Sequence, residues 1–184
     1  MKTSSILLTA VVLLFLASCK DNDDATPSKS ITPDDRELIT TVKLNFSNGT
    51  QQTYVFSDPD GDGGTPPTID TIRLNKGEVY HVEASFFDES NPADIEDITQ
   101  EIKEKAHEHI ICFEAINSKG LTIERTDTDG IYEVGLTSMW TVNDSANSNN
   151  GELKLTLKHQ VGVKDGSCEA GETDVEVNFP LSIE

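Results

Sequence analysis

This chain has little with which to meet a nucleic acid. Lysine and arginine number 14 against 33 acidic residues, a formal net charge of −19, so phosphates are repelled over most of the surface. The same balance excludes docking on anionic lipid through a basic patch. No apolar run approaches the roughly 20 residues of a membrane-spanning helix; the longest runs only from Ile6 to Ala17. There is no Gly-x-Ser-x-Gly elbow, no phosphate loop, no His-Glu-x-x-His and no cysteine in a nucleophile motif, while the carboxylates are too many to nominate an acid-base pair. The expectation is a protein that is not an enzyme. Cysteine is scarce too: Cys19, Cys112 and Cys168 are the three.

What is present begins with Lys2, the short apolar run, and Leu16-Ala17-Ser18-Cys19. A basic start, a short apolar core and small residues before a cleavage point describe a secretory signal that is removed. The tetrapeptide resembles a lipobox, which implies that Cys19 becomes the first mature residue and takes a diacylglycerol and a further acyl chain such as palmitate. Two or three chains hold a protein durably, since each buried methylene is worth about 0.8 kcal/mol and one chain alone gives marginal attachment. Lys20-Asp21-Asn22-Asp23-Asp24 is similar to the lysine-then-acidic tag of lipoproteins in Bacteroidota-type bacteria. That resemblance implies an outer-membrane lipoprotein facing the cell exterior.

Removing residues 1–18 from the 184 leaves 166, one domain's worth of chain, and loss of Lys2 takes the charge to −20. Residues 19–36 read as the lipidated cysteine and a flexible acidic tether, with Pro27, Pro33, Ser28 and Ser30 and almost nothing to bury. A coil of that length has a typical end-to-end distance of roughly 20 to 25 Å. In an oxidising compartment Cys112 and Cys168 can pair, which would contribute about 4 kcal/mol in the chain-entropy model. Spacing alone leaves both a bridge and two separate thiols open.

From residue 37 the period is mostly two. Leu38, Thr40, Val42, Leu44 and Phe46 share one face, and Asn48-Gly49 marks a hairpin before Tyr54 and Phe56. Tyr80, Val82, Ala84 and Phe86 alternate likewise, as do Leu153, Leu155 and Leu157, and then Val175, Val177, Phe179 and Leu181. Weaker runs lie at 69–74, 110–116, 121–125 and 132–142. About nine short strands over 37–184 predict an all-β fold, an immunoglobulin-like antiparallel β-sandwich. Between Pro92 and His107 the period changes: Ile95, Ile98, Ile102 and Ala106 predict one short helix, with Asn91 as cap and Pro92 in the first turn.

Two constellations could hold a cation. Asp58, Asp60 and Asp62 stand at alternate positions in Asp58-Pro59-Asp60-Gly61-Asp62-Gly63-Gly64, as in half of a calcium loop; position twelve is Ile69 where an EF-hand has glutamate. An acidic glycine-rich turn is the simpler reading, and Asp127-Thr128-Asp129-Gly130 reads as a hairpin turn. In the second, His107 and His109 fall in register on an extended strand with Ile111 and Phe113, and His159 with Leu157. Three imidazoles at one core edge would suit zinc or copper, with Glu104, Glu108 or Cys168 as a further donor. Histidines bonded to backbone are the plainer alternative.

A second resemblance covers nearly the whole mature chain and is carried by the phrases Asp60-Gly61-Asp62-Gly63-Gly64, Asp97-Ile98-Thr99-Gln100-Glu101-Ile102, Glu108-His109, Leu157-Lys158-His159 and Ala170-Gly171-Glu172-Thr173-Asp174. They are similar to a group of small surface lipoproteins sometimes labelled "type 1 periplasmic binding fold superfamily". That label implies two α/β lobes and about twice this length, which alternating strands and one short helix do not provide. The expectation is a non-catalytic binding or accessory lipoprotein presenting a ligand or metal ion to an outer-membrane transporter. The alternative is a structural or adhesive cell-surface domain.

Overall fold

In a computed structural model the described residues are 38–61 and 63–184; the signal, Cys19, the tether to Arg36, and Asp62 lie outside them. Alternation at Val42, Leu44 and Phe46 makes β1 (Thr41–Ser47), whose inward side chains are buried. The Asn48-Gly49 turn, with Gly49 at φ 98°, returns the chain as β2 (Gln51–Ser57), Ser47 opposite Gln51. Then follow β3 (Thr68–Ile69), β4 (Ile72–Leu74), β5 (Val79–Asp88), β6 (Glu96–Asp97), the helix α1 (Ile98–Glu104), and three longer strands: β7 (His109–Arg125), β8 (Thr137–His159) and β9 (Glu172–Ile183).

All nine strands belong to one sheet, ordered β3-β2-β1-β5-β8-β9-β4, with β6 added to β5 and β7 added to β8. The sheet curls because β8 changes partners along its length. Thr137 to Thr141 pair with β5, while Gly151 to His159 pair with β9, and β7 follows β8 past both. Between these halves the β7–β8 ladder breaks at Ile116/Ser118 and Lys119/Leu121. Asn117 and Gly120 carry positive φ there, and a Cβ on Gly120 would come within 2.9 Å of Ala146 Cα. The ladder therefore bends at its middle, and its two halves face each other across one core.

Side chains confirm that closure. Trp140, fully buried on the first half, meets Phe113 of the second at 5.6 Å and 72°, and Phe46 at 5.0 Å and 78°. Leu44, Leu155, Phe179 and Ile72 share the same core. At the far side only Asp70 and Thr71 separate β3, at one edge of the sheet, from β4 at the other. The Tyr54 hydroxyl spans this seam: it accepts the Arg73 N–H at 3.1 Å and lies 3.0 Å from the Arg73 carbonyl.

Among the described residues the fold is all-β with one α-helix, and it refines the expected architecture in three ways. The two layers are halves of a continuous sheet, and β4 pairs with β9 in parallel, its direction set by the two-residue link from β3. The runs at 110–116 and 121–125 are one strand, and the Asn-rich segment 143–150 continues β8. The helix is shorter than 92–107. Asn91 and Pro92 form a turn in which Asp94 N–H donates to Asn91 O, Glu96 and Asp97 pair with β5, and the Asp97 carboxylate accepts the Thr99 N–H at 3.1 Å as the true cap. Ile95, assigned by periodicity to the buried face, is 56% exposed, whereas Ile98 and Ile102 are buried. No helix among the described residues is long and apolar enough to cross a membrane.

Candidate metal centre

One end of the sheet gathers the start of β7, the end of β8 and the start of β9. His109 and His159 are direct register partners across β7 and β8. Residues so paired share a face, and the two rings stack with centroids 4.7 Å apart and planes within 8°. His109 is buried; His159 is about one-third exposed. Asp174 reaches them through an irregularity in the ladder: Leu157 pairs with Val175 but Lys158 with Thr173, so Asp174 is the extra residue of a bulge. A bulge re-aims a side chain, and here it turns a carboxylate inward beside His159. One donor atom each from His109, His159 and Asp174 lies within 4.8 Å of the other two.

The electrostatics favour a neutral His109 ring. Burial pushes the His109 imidazole below its ordinary value, partly opposed by its bond to Lys105. Because a carbonyl only accepts, Nδ1–H of His109 donates to Lys105 O at 3.0 Å, leaving Nε2 with the lone pair. His159 stands between two carboxylates without bonding either: Nε2 is 3.8 Å from Glu108 Oε2 and Nδ1 is 4.0 Å from Asp174 Oδ1. Its Nε2 is buried and makes no hydrogen bond. Leaving such an atom without a bond costs about 1–3 kcal/mol.

The loop 160–171 closes over this corner. Gln160, fully buried, donates its backbone N–H to Glu108 O and its Nε2 to Ser167 O and Ala170 O, both at 2.9 Å. Lys164 donates to Ala106 O at 2.8 Å and to Asp129 Oδ2 at 2.7 Å. A disulfide joins Cys168 in this loop to Cys112 on β7, with Cα atoms 6.1 Å apart. Cys168 is therefore no metal donor.

Of the three histidines, two meet and one does not. His107 lies in the 3-10 turn Ala106–Glu108 rather than on the strand, so two-residue alternation with His109 fails and its ring projects into solvent. Glu104 is exposed on the helix, while Glu108 arrives from the same turn as His107. Asp174 went unforeseen, because inward-facing Val177, Phe179 and Leu181 place it outward by alternation. The one signal nearby is Gly171, held at φ 76° just before the bulge.

In the acidic loop, Asp60 accepts the Thr65 N–H at 2.8 Å, and that bond holds its carboxyl below the usual range. Gly61 N–H donates to Asp58 O at 3.2 Å. Asp60 thus staples its own turn, and Asp62 is outside the described residues. Asp127-Thr128-Asp129-Gly130 forms a hairpin turn, with Asp129 N–H donating to Tyr132 O and a bridge between Thr128 and Glu133. A cavity of about 390 Å³ lies elsewhere, lined by Phe113, Ile123, Glu124, Arg125 and Glu133. Its guanidinium is already engaged by Ile111 O at 2.6 Å and Glu133 at 3.2 Å. No protein-family model, curated protein or solved structure matches this chain.

Proposed function

We propose that this chain is a non-catalytic binding lipoprotein, held at the outer membrane through acyl chains on Cys19 and facing the exterior, whose ligand-holding end is the corner of His109, His159 and Asp174. The observation that carries the reading is His159, whose ring stands between two carboxylates and whose buried Nε2 makes no hydrogen bond. A buried polar atom left so calls for a partner that the fold does not supply. Uptake by a neighbouring transporter is the use that suits a domain on a tether.

The test is thermal unfolding of the full chain in detergent against a panel of inorganic cations, anions, amino acids and sugars. At least one class should raise the melting temperature of the wild type but not of His159→Gln, since a ligand of the native state stabilises by mass action. A panel without effect would sink the reading. Anchoring is tested apart: Cys19→Ala should leave the membrane fraction, and radiolabelled fatty acid retained by that variant would refute attachment there. A structural or adhesive role is a second reading, favoured by Ile131, Val161 and Val163, which are 82%, 46% and 54% exposed on loops at this end. It expects Ile131→Ser with Val163→Ser to change cell-surface contacts while leaving ligand stabilisation intact.

A further inference from the structure

We infer that the ligand of this corner is a divalent transition metal, zinc or copper(II), held by three protein donors, His109 Nε2, His159 and Asp174, with the fourth place open. The inference rests on the binding reading above and names the ligand class. Four features of the corner meet the needs of such an ion. Neutral imidazole is a ligand only through a nitrogen without a proton, and the Lys105 carbonyl fixes the His109 proton on Nδ1. That bond is also the outer support that metal-bound histidines ordinarily have. The Nε2 of His159 is buried with no hydrogen bond competing for it. The bulge adds a carboxylate on the side of His159 away from Glu108, so the nitrogen that binds the ion has a carboxylate beside it and the other nitrogen has an acceptor for its proton.

Two histidines and carboxylate oxygens are a borderline donor set, matched to zinc or copper(II) rather than to calcium, which takes six to eight oxygens. Metal–donor bonds of about 2.0–2.2 Å put two donors roughly 3.4 Å apart in a tetrahedron. The donors here lie within 4.8 Å, so they must close by about 1.4 Å. His159 can supply that movement, being one-third exposed and unrestrained by a hydrogen bond at Nε2; His109, buried and bonded to Lys105, stays as the fixed post. Binding therefore unstacks the rings. A lone metal ion of charge +2 also offsets Glu108 and Asp174 at one point of an acidic protein.

The experiment is calorimetric titration of the full chain in detergent with zinc chloride, repeated with copper(II). The wild type should take up one equivalent. His159→Gln should weaken uptake by at least about 100-fold and Asp174→Asn by about 10-fold or more, the scale of lost ligands and their supports. His107→Ala should stay within about twofold, which separates this site from adventitious binding by an exposed histidine. Circular dichroism checks that each variant folds. Should His159→Gln unfold, electron paramagnetic resonance of the copper(II) wild type decides: hyperfine structure from two imidazole nitrogens is expected, and one or none overturns the site. No uptake of either ion, uptake unchanged in folded His159→Gln, or uptake lost in His107→Ala also overturns it. If a non-metal ligand in the thermal panel depends on His159 while zinc and copper do not bind, the metal inference fails and the binding reading stands.

Discussion

Two polar clusters sit at the same end of this domain, and they are finished to different degrees. Asp129 and Lys164 form a pair that is 5% and 4% exposed, with every strong bond made: the carboxylate accepts from Ile131 N–H, Tyr132 N–H and Lys164, and the ammonium also reaches Ala106 O. His159 has comparable neighbours at 3.8 and 4.0 Å and bonds neither through the nitrogen facing it. The first cluster ties three segments, the turn at 129, the turn at 106 and the loop at 164, and is complete without help. The second is not. A fold that can saturate one buried charge pair has the means to saturate a ring a few residues away, so the difference marks the place where a ligand contributes.

The sharpest test removes the completed pair. Lys164→Met leaves Asp129 buried without its cation and should cost about 3–5 kcal/mol in denaturant unfolding. A cost under about 1 kcal/mol would show that the pair is not the tie described here. Acid probes the same group more gently. Its bonds, that of Lys164 foremost, hold the Asp129 carboxyl at about 2 against 3.8. The folded value lies below the unfolded one, so the stabilisation is fully present above about pH 4 and is lost as pH falls toward 2, about 2 kcal/mol in all. Asp129→Asn should remove that slope from the stability profile measured between pH 5 and 2. The smallest effect belongs to the other cluster. With chelator present, His159→Phe should leave stability unchanged or raise it by about 1 kcal/mol, since it removes a buried polar atom that makes no bond. A loss above about 2 kcal/mol would mean that the ring is already satisfied, and would erase the contrast.

The strands that read clearly are those with one dry face. Val42, Leu44 and Phe46, or Leu153, Leu155 and Leu157, carry their burial in strict alternation, and each occupies the strand that this pattern announces. What could not be read is what depends on irregularity. Asn143 to Asn150 resembles a loop by composition, yet it continues the strand, with Asn147 and Ser148 paired to Lys119 and Ser118 of β7 at the bend. The helix began late because Glu96 and Asp97 found a partner in β5, a contact no local pattern encodes. At the candidate site the pairing of His109 with His159 was legible as a shared face, whereas His107 left that face through a single 3-10 turn and Asp174 joined it through one extra residue. Alternation predicts faces; it is silent about the insertions that change them.

That extra residue has an evolutionary meaning. On either side of Asp174 the β8–β9 ladder is regular, with Leu157 opposite Val175 and Lys158 opposite Thr173. Deleting the one codon would close the ladder into continuous register and leave every hydrophobic position of β9 facing as it does now. The carboxylate at this corner is thus a module one residue long, gained or lost by a three-nucleotide event that the rest of the sheet does not feel.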